Sequence, residues 1–249
     1  MPLVTLLTDF GTADGYVAEM KGVLLSGAPA AQLIDVSHDV PAQDVDFARL
    51  TFARYWRRFP VGTVHLVVVD PDVGTARKAL VIESEGRFAV GPDNGVLSPA
   101  MLLPGARAVA LDIPPGASPT FHGRDVFAPA AVRLLNGTPL DDMGTPYNDA
   151  AVRRTPEAQR RADGGQDGLV LAVDRFGNLI TNLTARGDGV VEIAGKLLRI
   201  VRTYGEVTEG ELLALVGSHG LIEVAVRGGS AARTLGVGRG EPVTLRRDP

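Results

Sequence analysis

Four short segments in the first half of the sequence carry carboxylates beside glycines, each directly after an apolar run or just ahead of a helical pattern. They are TDFG at 8–11, DPDVGTAR at 70–77, GPDNG at 91–95 and FHGRD at 121–125. Ionised carboxylates accept hydrogen bonds from water and hydroxyl groups, and arginine can hold a carboxylate with two parallel N–H donors. One such segment alone is typical of a turn, but four together indicate a site.

Two segments of the second half also follow apolar runs, DRFGN at 174–178 and GSHG at 217–220. Each by itself is typical of a turn. Among the histidines, His122 is flanked by glycine, arginine and aspartate. By contrast, His65 lies within a strand pattern and is predicted to be a core residue, and His38 is predicted to make local hydrogen bonds in a Ser-His-Asp turn.

The templates of several common enzyme classes are absent from the sequence. There is no glycine-rich dinucleotide turn, no P-loop, no HExxH zinc helix and no GxSxG nucleophile elbow. The chain has no cysteine, which excludes disulfides and thiolate chemistry. Carboxylates at strand ends can bind a divalent ion. On the residues alone, a metal-dependent phosphohydrolase therefore remains an alternative function.

The charge and hydropathy of the chain limit the kinds of molecule to which it is expected to bind. The net charge is −4 and aromatic residues make up 5% of the chain, so the sequence lacks the basic, aromatic surface of a nucleic-acid-binding protein. No apolar run reaches the ~18 residues that cross a bilayer, and the first residues lack the basic start of a signal peptide. We therefore expect no nucleic acid and no membrane as partner, and a cytoplasmic location.

The spacing of apolar residues predicts the elements that position these segments. Helical patterns alternate with short runs of strand type in the first half. The predicted helices are 15–26, 44–59 and 127–135, and the predicted strands are 4–7, 32–36, 63–69, 79–83, 87–90 and 108–113. This alternation is typical of a mostly parallel, Rossmann-like sheet flanked by helices, in which ligands bind beyond the carboxyl ends of the strands.

The composition changes after residue 154. Residues 155–168 are polar, glycine-rich and without apolar periodicity, which is typical of a linker. Short β patterns follow, with one helical pattern at 230–235. We predict an N-terminal α/β domain over 1–154, a linker over 155–168, and a smaller all-β domain of barrel or sandwich type over 169–249.

Taken together, the six segments closely resemble the S-adenosyl-L-methionine (SAM) hydroxide adenosyltransferases, relatives of fluorinase and chlorinase. The motifs span essentially the whole chain in the family's order. The resemblance implies that water or hydroxide attacks C5′ of SAM and yields adenosine and L-methionine, with no metal and no cofactor. It also implies a homotrimer whose active sites lie at contacts between subunits.

The resemblance assigns catalysis to Asp70, to Arg77 seven positions further on, and to His122. In this scheme Arg77 holds Asp70, Asp70 orients the water, and neutral His122 accepts the proton. The halogenating relatives lack this histidine, so His122 favours water over halide as the nucleophile. Asp72 stands where the family usually has glycine, which adds a carboxylate beside the water.

The resemblance also implies substrate contacts in both halves of the chain. Asp9 matches the carboxylate that accepts hydrogen bonds from both ribose hydroxyls. Asp174 is expected to bind the methionine ammonium, and Asn178 the adenine edge. The other expected contacts are Phe176 and Tyr204 as walls around adenine, with Ser218 and His219 at the methionine carboxylate.

Other functions fit the same segments. A sensor of SAM or of a nucleoside would keep the pocket with little turnover, and a halogenase would use halide in place of water. Product release compared with simple binding distinguishes a sensor from an enzyme, and halide-dependent loss of substrate identifies a halogenase. Unchanged activity in excess chelator would exclude the metal-dependent phosphohydrolase.

Overall fold

The computed structural model describes residues 2–185 and 187–246, and their contacts divide the chain into two compact units. The first unit is Met1–Arg154 and the second is Thr155–Pro249. The segment 155–168, predicted as a linker, belongs to the second unit and carries a short strand and the start of a long one. Across the described residues, no helix combines the length and apolar character that a membrane span requires.

Strands and helices alternate through most of the first unit, as the apolar spacing predicts. In chain order the elements are β1 (Leu3–Thr8), α1 (Tyr16–Gly27), β2 (Gln32–Ser37), α2 (Val45–Tyr55) with a 3₁₀ turn (Trp56–Arg58), β3 (Val64–Val68), β4 (Ala79–Ser84), β5 (Arg87–Pro92), α3 (Ser98–Met101), β6 (Arg107–Leu111), a π-helix (Gly123–Phe127), α4 (Ala128–Leu135), a 3₁₀ turn (Leu140–Asp142) and β7 (Thr145–Pro146). The strand order is β2-β1-β3-β5-β4-β6-β7. This confirms the predicted α/β class.

The parallel part of this sheet is β2-β1-β3-β5, and β4 runs antiparallel to both of its neighbours. The reversal comes from a two-residue turn between β4 and β5. Glu85 and Gly86 both have positive φ, 48° and 70°, which matches the tight hairpin turn that suits the twist of paired strands. The site-bearing strands β1 and β3 lie in the parallel part.

Apolar side chains cover both faces of the sheet. Leu66 of β3 packs in one buried cluster with Met20 of α1 and Leu134 of α4, whereas Val67 packs in a second cluster with Phe52 of α2. Successive strand residues point to opposite faces, so a strand buried on both sides reads as a continuous apolar run. Truncation of a buried phenylalanine such as Phe52 to alanine costs about 3–5 kcal/mol, so this packing fixes the strands firmly.

The second unit is built of strands around its own apolar core. Its elements are β8 (Gln159–Arg160), β9 (Gln166–Val173), β10 (Leu179–Thr181), β11 (Val190–Ile193), β12 (Lys196–Val201), a 3₁₀ turn (Tyr204–Glu206), β13 (Leu212–Val216), β14 (Ile222–Val226), α5 (Ala231–Leu235) and β15 (Pro242–Arg246). The order β10-β14-β13-β12-β11-β15-β9 closes on itself because β9 also pairs with β10. A closed barrel therefore confirms the predicted all-β class.

Candidate active site

The loop that follows β3 carries a buried ion pair. Arg77 Nε donates to Asp70 Oδ1 at 2.9 Å, and Nη2 donates to Oδ2. The two side chains are only 6% and 5% exposed. Such two-pronged contact fixes the plane of the carboxylate, and removal of one partner from a buried pair typically costs about 3–5 kcal/mol. The sequence interval of seven residues thus closes a loop around a fixed carboxylate.

His122 completes this cluster through the same guanidinium. Its Nδ1 lies 2.8 Å from Arg77 Nη2. Arginine can only donate, so Nδ1 accepts and the neutral imidazole carries its hydrogen on Nε2. Burial, and then the Arg77 charge, hold the pKa of His122 below the usual 6.5, although Asp70 and Asp125 act in the opposite direction. His122 is therefore a neutral imidazole near pH 7.

Phe127 forms an apolar surface beside both groups. Arg77 Cζ lies 5.3 Å from the centre of the Phe127 ring, and the rings of His122 and Phe127 pack edge to face at 6.5 Å. His122 directly precedes the π-helix, whose wide turn ends at Phe127. Such turns are frequent at functional sites. The apolar pattern marks Phe127 as a core residue, but no sequence signal places it beside an arginine.

Asp9 lies at the same edge of the sheet as Asp70. Thr8 at the end of β1 is paired with Val68 at the end of β3, so the residues that follow both strands emerge side by side. The backbone N–H of Gln43 donates to Asp9 Oδ2 at 2.7 Å. Burial raises the pKa of Asp9 above 3.8 and the charge of Asp70 adds to this, against the lowering effect of the Gln43 N–H.

A second buried histidine, His38, contacts the segment that carries Asp9. His38 Nδ1 lies 2.8 Å from Thr8 Oγ1, and its Nε2 lies 3.0 Å from Asp35. The carbonyl of His38 also accepts a hydrogen bond from Gly11 N at 2.8 Å. His38 was predicted to bond locally within its Ser-His-Asp turn, but its hydrogen-bond partners Thr8 and Gly11 lie about 30 residues earlier in the chain. These bonds tie the TDFG segment to the loop after β2.

In the second unit, Asp174 organises a tight turn after β9. Its Oδ1 accepts from the backbone N–H groups of Phe176 and Asn178 at 2.9 and 2.8 Å, and its Oδ2 accepts from Asn178 Nδ2 at 2.9 Å. Asn178 Nδ2 also lies 3.4 Å from Tyr204 Oη. The turn therefore presents Asn178 beside the rings of Phe176 and Tyr204.

This turn forms one wall of an open cavity of about 530 Å³. Its lining includes Phe176, Asn178, Tyr204, Arg227, Gly228 and Arg233. Two flat aromatic groups beside an amide that both donates and accepts hydrogen bonds suit a planar heterocycle. The cavity thus gathers the residues expected around adenine.

The structure does not bring the remaining predicted residues into this cavity. Ser218 and His219 are exposed in the loop between β13 and β14, where Gly217 N donates to Leu221 O at 2.8 Å. In the GPDNG segment, the Asp93 carboxylate accepts a hydrogen bond from Ala151 N at 2.6 Å. Among the described residues, no three histidine or carboxylate side chains are grouped as metal ligands.

Comparison with known proteins gives consistent results for both halves. The profile of the SAM hydroxide adenosyltransferase N-terminal domain matches residues 4–144, and that of the C-terminal domain matches 168–244. An (R)-S-adenosyl-L-methionine hydrolase of Thermus thermophilus is 44% identical, over 97% of this chain and 98% of its own length. A fluorinase of Actinoplanes is 28% identical, over 73% and 72%.

A solved structure supports the same fold. The crystal structure of an uncharacterized conserved protein from Thermotoga maritima has a TM-score of 0.88 and 33% identity, and the match covers 98% of this chain and 100% of that one. The match therefore extends over both units.

Proposed function

This chain belongs to the SAM hydroxide adenosyltransferase family, and on that premise we propose that it is an enzyme that hydrolyses S-adenosyl-L-methionine. In this reaction the oxygen of water forms a bond to C5′ while the C5′–sulfur bond breaks. The products are adenosine, L-methionine and one proton. The sulfonium leaves as a neutral thioether, so the leaving group needs no acid, and we propose that the reaction uses no metal and no cofactor.

The observation that carries this proposal is the buried contact of Arg77 with both Asp70 and His122. Arg77 uses one N–H for each oxygen of Asp70, and each oxygen keeps a lone pair for a water hydrogen. We therefore assign Asp70 the hydrogen bond that orients the nucleophile. A water held in line with C5′ and sulfur, about 3–3.5 Å from carbon, is in position to attack.

His122 accepts the proton as the carbon–oxygen bond forms. Its free lone pair is on Nδ1, the atom that faces Arg77 Nη2. Transfer therefore requires that this N–H turn away from Nδ1, after which the new imidazolium is stabilised by the Asp70 and Asp125 carboxylates that raise its pKa. Until then the guanidinium keeps the imidazole neutral and ready to act as a base.

We assign substrate binding to both units. Asp9 accepts from the two ribose hydroxyls, and Asn178 binds the adenine edge between Phe176 and Tyr204. Asp174 already accepts three hydrogen bonds in its own turn, so one acceptor position on Oδ2 remains for the methionine ammonium. The exposed Ser218 and His219 are assigned to the methionine carboxylate.

We propose further that the enzyme is a homotrimer in which each site takes its catalytic residues from one subunit and its adenine pocket from another. The supporting observation is that Asp70, Arg77 and His122 lie in one compact unit, whereas Asn178 and Tyr204 lie in the other. Light scattering should give three times the chain mass. A fully active monomer would contradict this arrangement.

The test of function is incubation with SAM in water enriched in oxygen-18, with excess chelator present and halide absent. We expect adenosine labelled at its 5′-hydroxyl, together with unlabelled L-methionine. Tight binding of SAM without products would identify a sensor, and turnover only after halide is added would identify a halogenase. Loss of turnover in chelator would overturn the metal-free scheme. Asp70→Asn is the control for contaminating activity.

A further inference from the structure

The GPDNG turn at 91–95 has no place in the scheme above, yet it contacts both ends of the loop that carries Asp70 and Arg77. We propose that this turn, through the side chain of Asn94, positions the Asp70–Arg77 pair against His122. The inference rests on the proposed function, because it concerns how the same catalytic cluster is held. Asn94 acts through the loop and touches none of the reacting groups.

The first contact is at the end of β3. Asn94 Nδ2 donates to the carbonyl oxygen of Val69 at 2.9 Å, directly before Asp70. Its Oδ1 accepts from Val96 N at 3.1 Å, which fixes the orientation of the amide. At Gly91 the backbone lies so close to β3 that a Cβ atom would stand 2.3 Å from the oxygen of Val67. The turn is thus in close contact with β3, the strand that leads to Asp70.

The second contact is at the far end of the loop. Asp93 N donates to the oxygen of Lys78 at 2.9 Å, directly after Arg77. Arg77 Nη1 shares that oxygen at 3.4 Å. The turn therefore holds the residue before Asp70 and the residue after Arg77. Because these are the two ends of the loop, their separation limits where the ion pair can lie relative to His122.

The turn itself is fixed to the last residues of the first unit. The Asp93 carboxylate accepts from Ala151 N at 2.6 Å and from Tyr147 Oη at 3.1 Å. Arg153 Nε donates to the oxygen of Asn94 at 2.8 Å. At Gly95, where φ is +90°, a Cβ atom would stand 2.4 Å from the Arg153 side chain. These contacts make the turn a fixed support instead of a loop that follows its neighbours.

The decisive variant is Asn94→Leu, which removes the amide without adding charge. We expect kcat for SAM to fall by about 10- to 100-fold with KM nearly unchanged, because a small displacement of catalytic groups costs rate more than affinity. Asn94→Asp keeps the acceptor for Val96 N and loses the donor to Val69, so it should lower kcat in the same way.

A pH titration provides a readout that mere loss of stability would not move. The charged groups that face His122 are Arg77, Asp70 and Asp125. If the loop loosens, the Arg77 guanidinium depresses the pKa of His122 less, so the acid limb of kcat/KM should move to higher pH in Asn94→Leu. Nitrogen NMR of the His122 ring, without substrate, should show the same change.

The control is Asn136→Leu, which likewise removes an amide donor to a backbone carbonyl, from Asn136 Nδ2 to Gly27 O at 3.1 Å, at the exposed end of α4. All rates are measured well below the lowest melting temperature of the set. Parental kcat and parental His122 titration in Asn94→Leu would overturn the inference, as would an equal kcat loss in Asn136→Leu. If the parent itself forms no adenosine, the proposed function fails, and the NMR titration still decides whether Asn94 positions the loop.

Discussion

At the scale of single residues, the proposed chemistry depends most on Arg77, because its guanidinium contacts both Asp70 and His122. Burial and this positive charge lower the pKa of His122 from 6.5. Neutral imidazole is the form that accepts a proton, so kcat/KM should be constant near neutral pH and fall as the pH drops through that lowered pKa. A parental midpoint above pH 6.5 would contradict this.

Two variants test the assignment of that acid limb. In Arg77→Met the residual kcat/KM should begin to fall at a higher pH than in the parent. The reason is that the charge that depresses the pKa of His122 is gone. In His122→Gln the limb should disappear from the pH–rate profile. An unchanged profile in His122→Gln would show that another group titrates.

Variants of Asp70 and Asp9 should have separate effects on the rate of reaction and on the affinity for SAM. Asp70→Asn should lower kcat by at least ~100-fold with little change in the Kd for SAM, since the proposed role of Asp70 is to orient the water and not to bind SAM. Asp9→Ala should weaken binding by about 1.5–3 kcal/mol, the scale of charge-assisted hydrogen bonds. Calorimetry beside single-turnover rates decides this: the division of roles is wrong if Asp70→Asn abolishes binding while Asp9→Ala binds normally.

Residue types and spacing marked the segments of Asp70, Arg77 and His122 as candidates, because four segments with carboxylates and glycines beside apolar runs are more than single turns explain. The catalytic roles of these three residues came from the resemblance to the family and stay predictions. The same pattern could not show that Nδ1 of His122 faces Arg77. Nor could it distinguish the proposed positioning role of Asn94 from a role in substrate binding, since a turn with aspartate, asparagine and glycine has the same sequence in either case.

At the scale of elements, β3 carries a third buried histidine, His65, whose burial affects the stability of the fold. Burial, and then Arg87, lower the pKa of His65 from 6.5 to about 3. The ring packs edge to face against Phe52 and Trp56, and its Nδ1 lies 2.8 Å from Thr5 Oγ1. The prediction of a core histidine in this strand is confirmed by this burial.

This burial predicts acid sensitivity of the fold. Between pH 6.5 and about 3 the unfolded chain binds a proton at His65 that the folded chain does not, so stability falls as the pH falls through this range. The loss should reach a few kcal/mol. The free energy of unfolding, measured in urea, should depend on pH differently in the parent and in His65→Phe below pH 6.5, and in the same way above it. If the two unfolding free energies change in parallel at every pH, His65 is not the cause of the acid sensitivity.

Gly177 in the turn after β9 and Gly240 before β15 offer a matched pair of glycine variants. Gly177 has φ of +84°, and a Cβ atom there would stand 2.0 Å from the Oγ of Ser230, the N-cap of α5. Gly177→Ala should push the turn from α5, distort the cavity and raise KM for SAM about tenfold. Gly240→Ala, with φ of +88° and open space around it, should cost stability alone. Equal KM changes in both would show that strain, not the cavity, is responsible.

Element types followed from the periodicity of the sequence, but some boundaries did not. Apolar runs buried on both faces predicted β1 and β3 well, since only central strands of an α/β sheet read this way. The polar composition of 155–168 gave no sign of β8, because an exposed edge strand such as Gln159–Arg160 has no alternation to detect. Its pairing with β9 is visible only in the fold.

At the scale of the whole molecule, the proposed site draws on both units, and mixing of variants can determine whether one chain supplies both. Asp70→Asn removes the carboxylate of the first unit that we propose orients the water. Asp174→Ala removes the acceptor that organises the turn at 174–178 of the second unit, which we propose binds adenine. Assayed far below KM, each homogeneous variant should have very low activity, since kcat/KM counts losses of both rate and affinity.

If each site is shared between neighbouring subunits of a trimer, co-refolding equal amounts of the two variants should restore about a quarter of the parental sites, those formed by two intact halves from different chains. A mixture of Asp70→Asn with Arg77→Met provides the control, because every site then contains a damaged first unit and no combination is intact. Restoration in the first mixture and none in the second would support shared sites. If neither mixture recovers activity while both give trimers by light scattering, each site is completed within a single chain, and the shared-site proposal is wrong even though the hydrolase assignment stands.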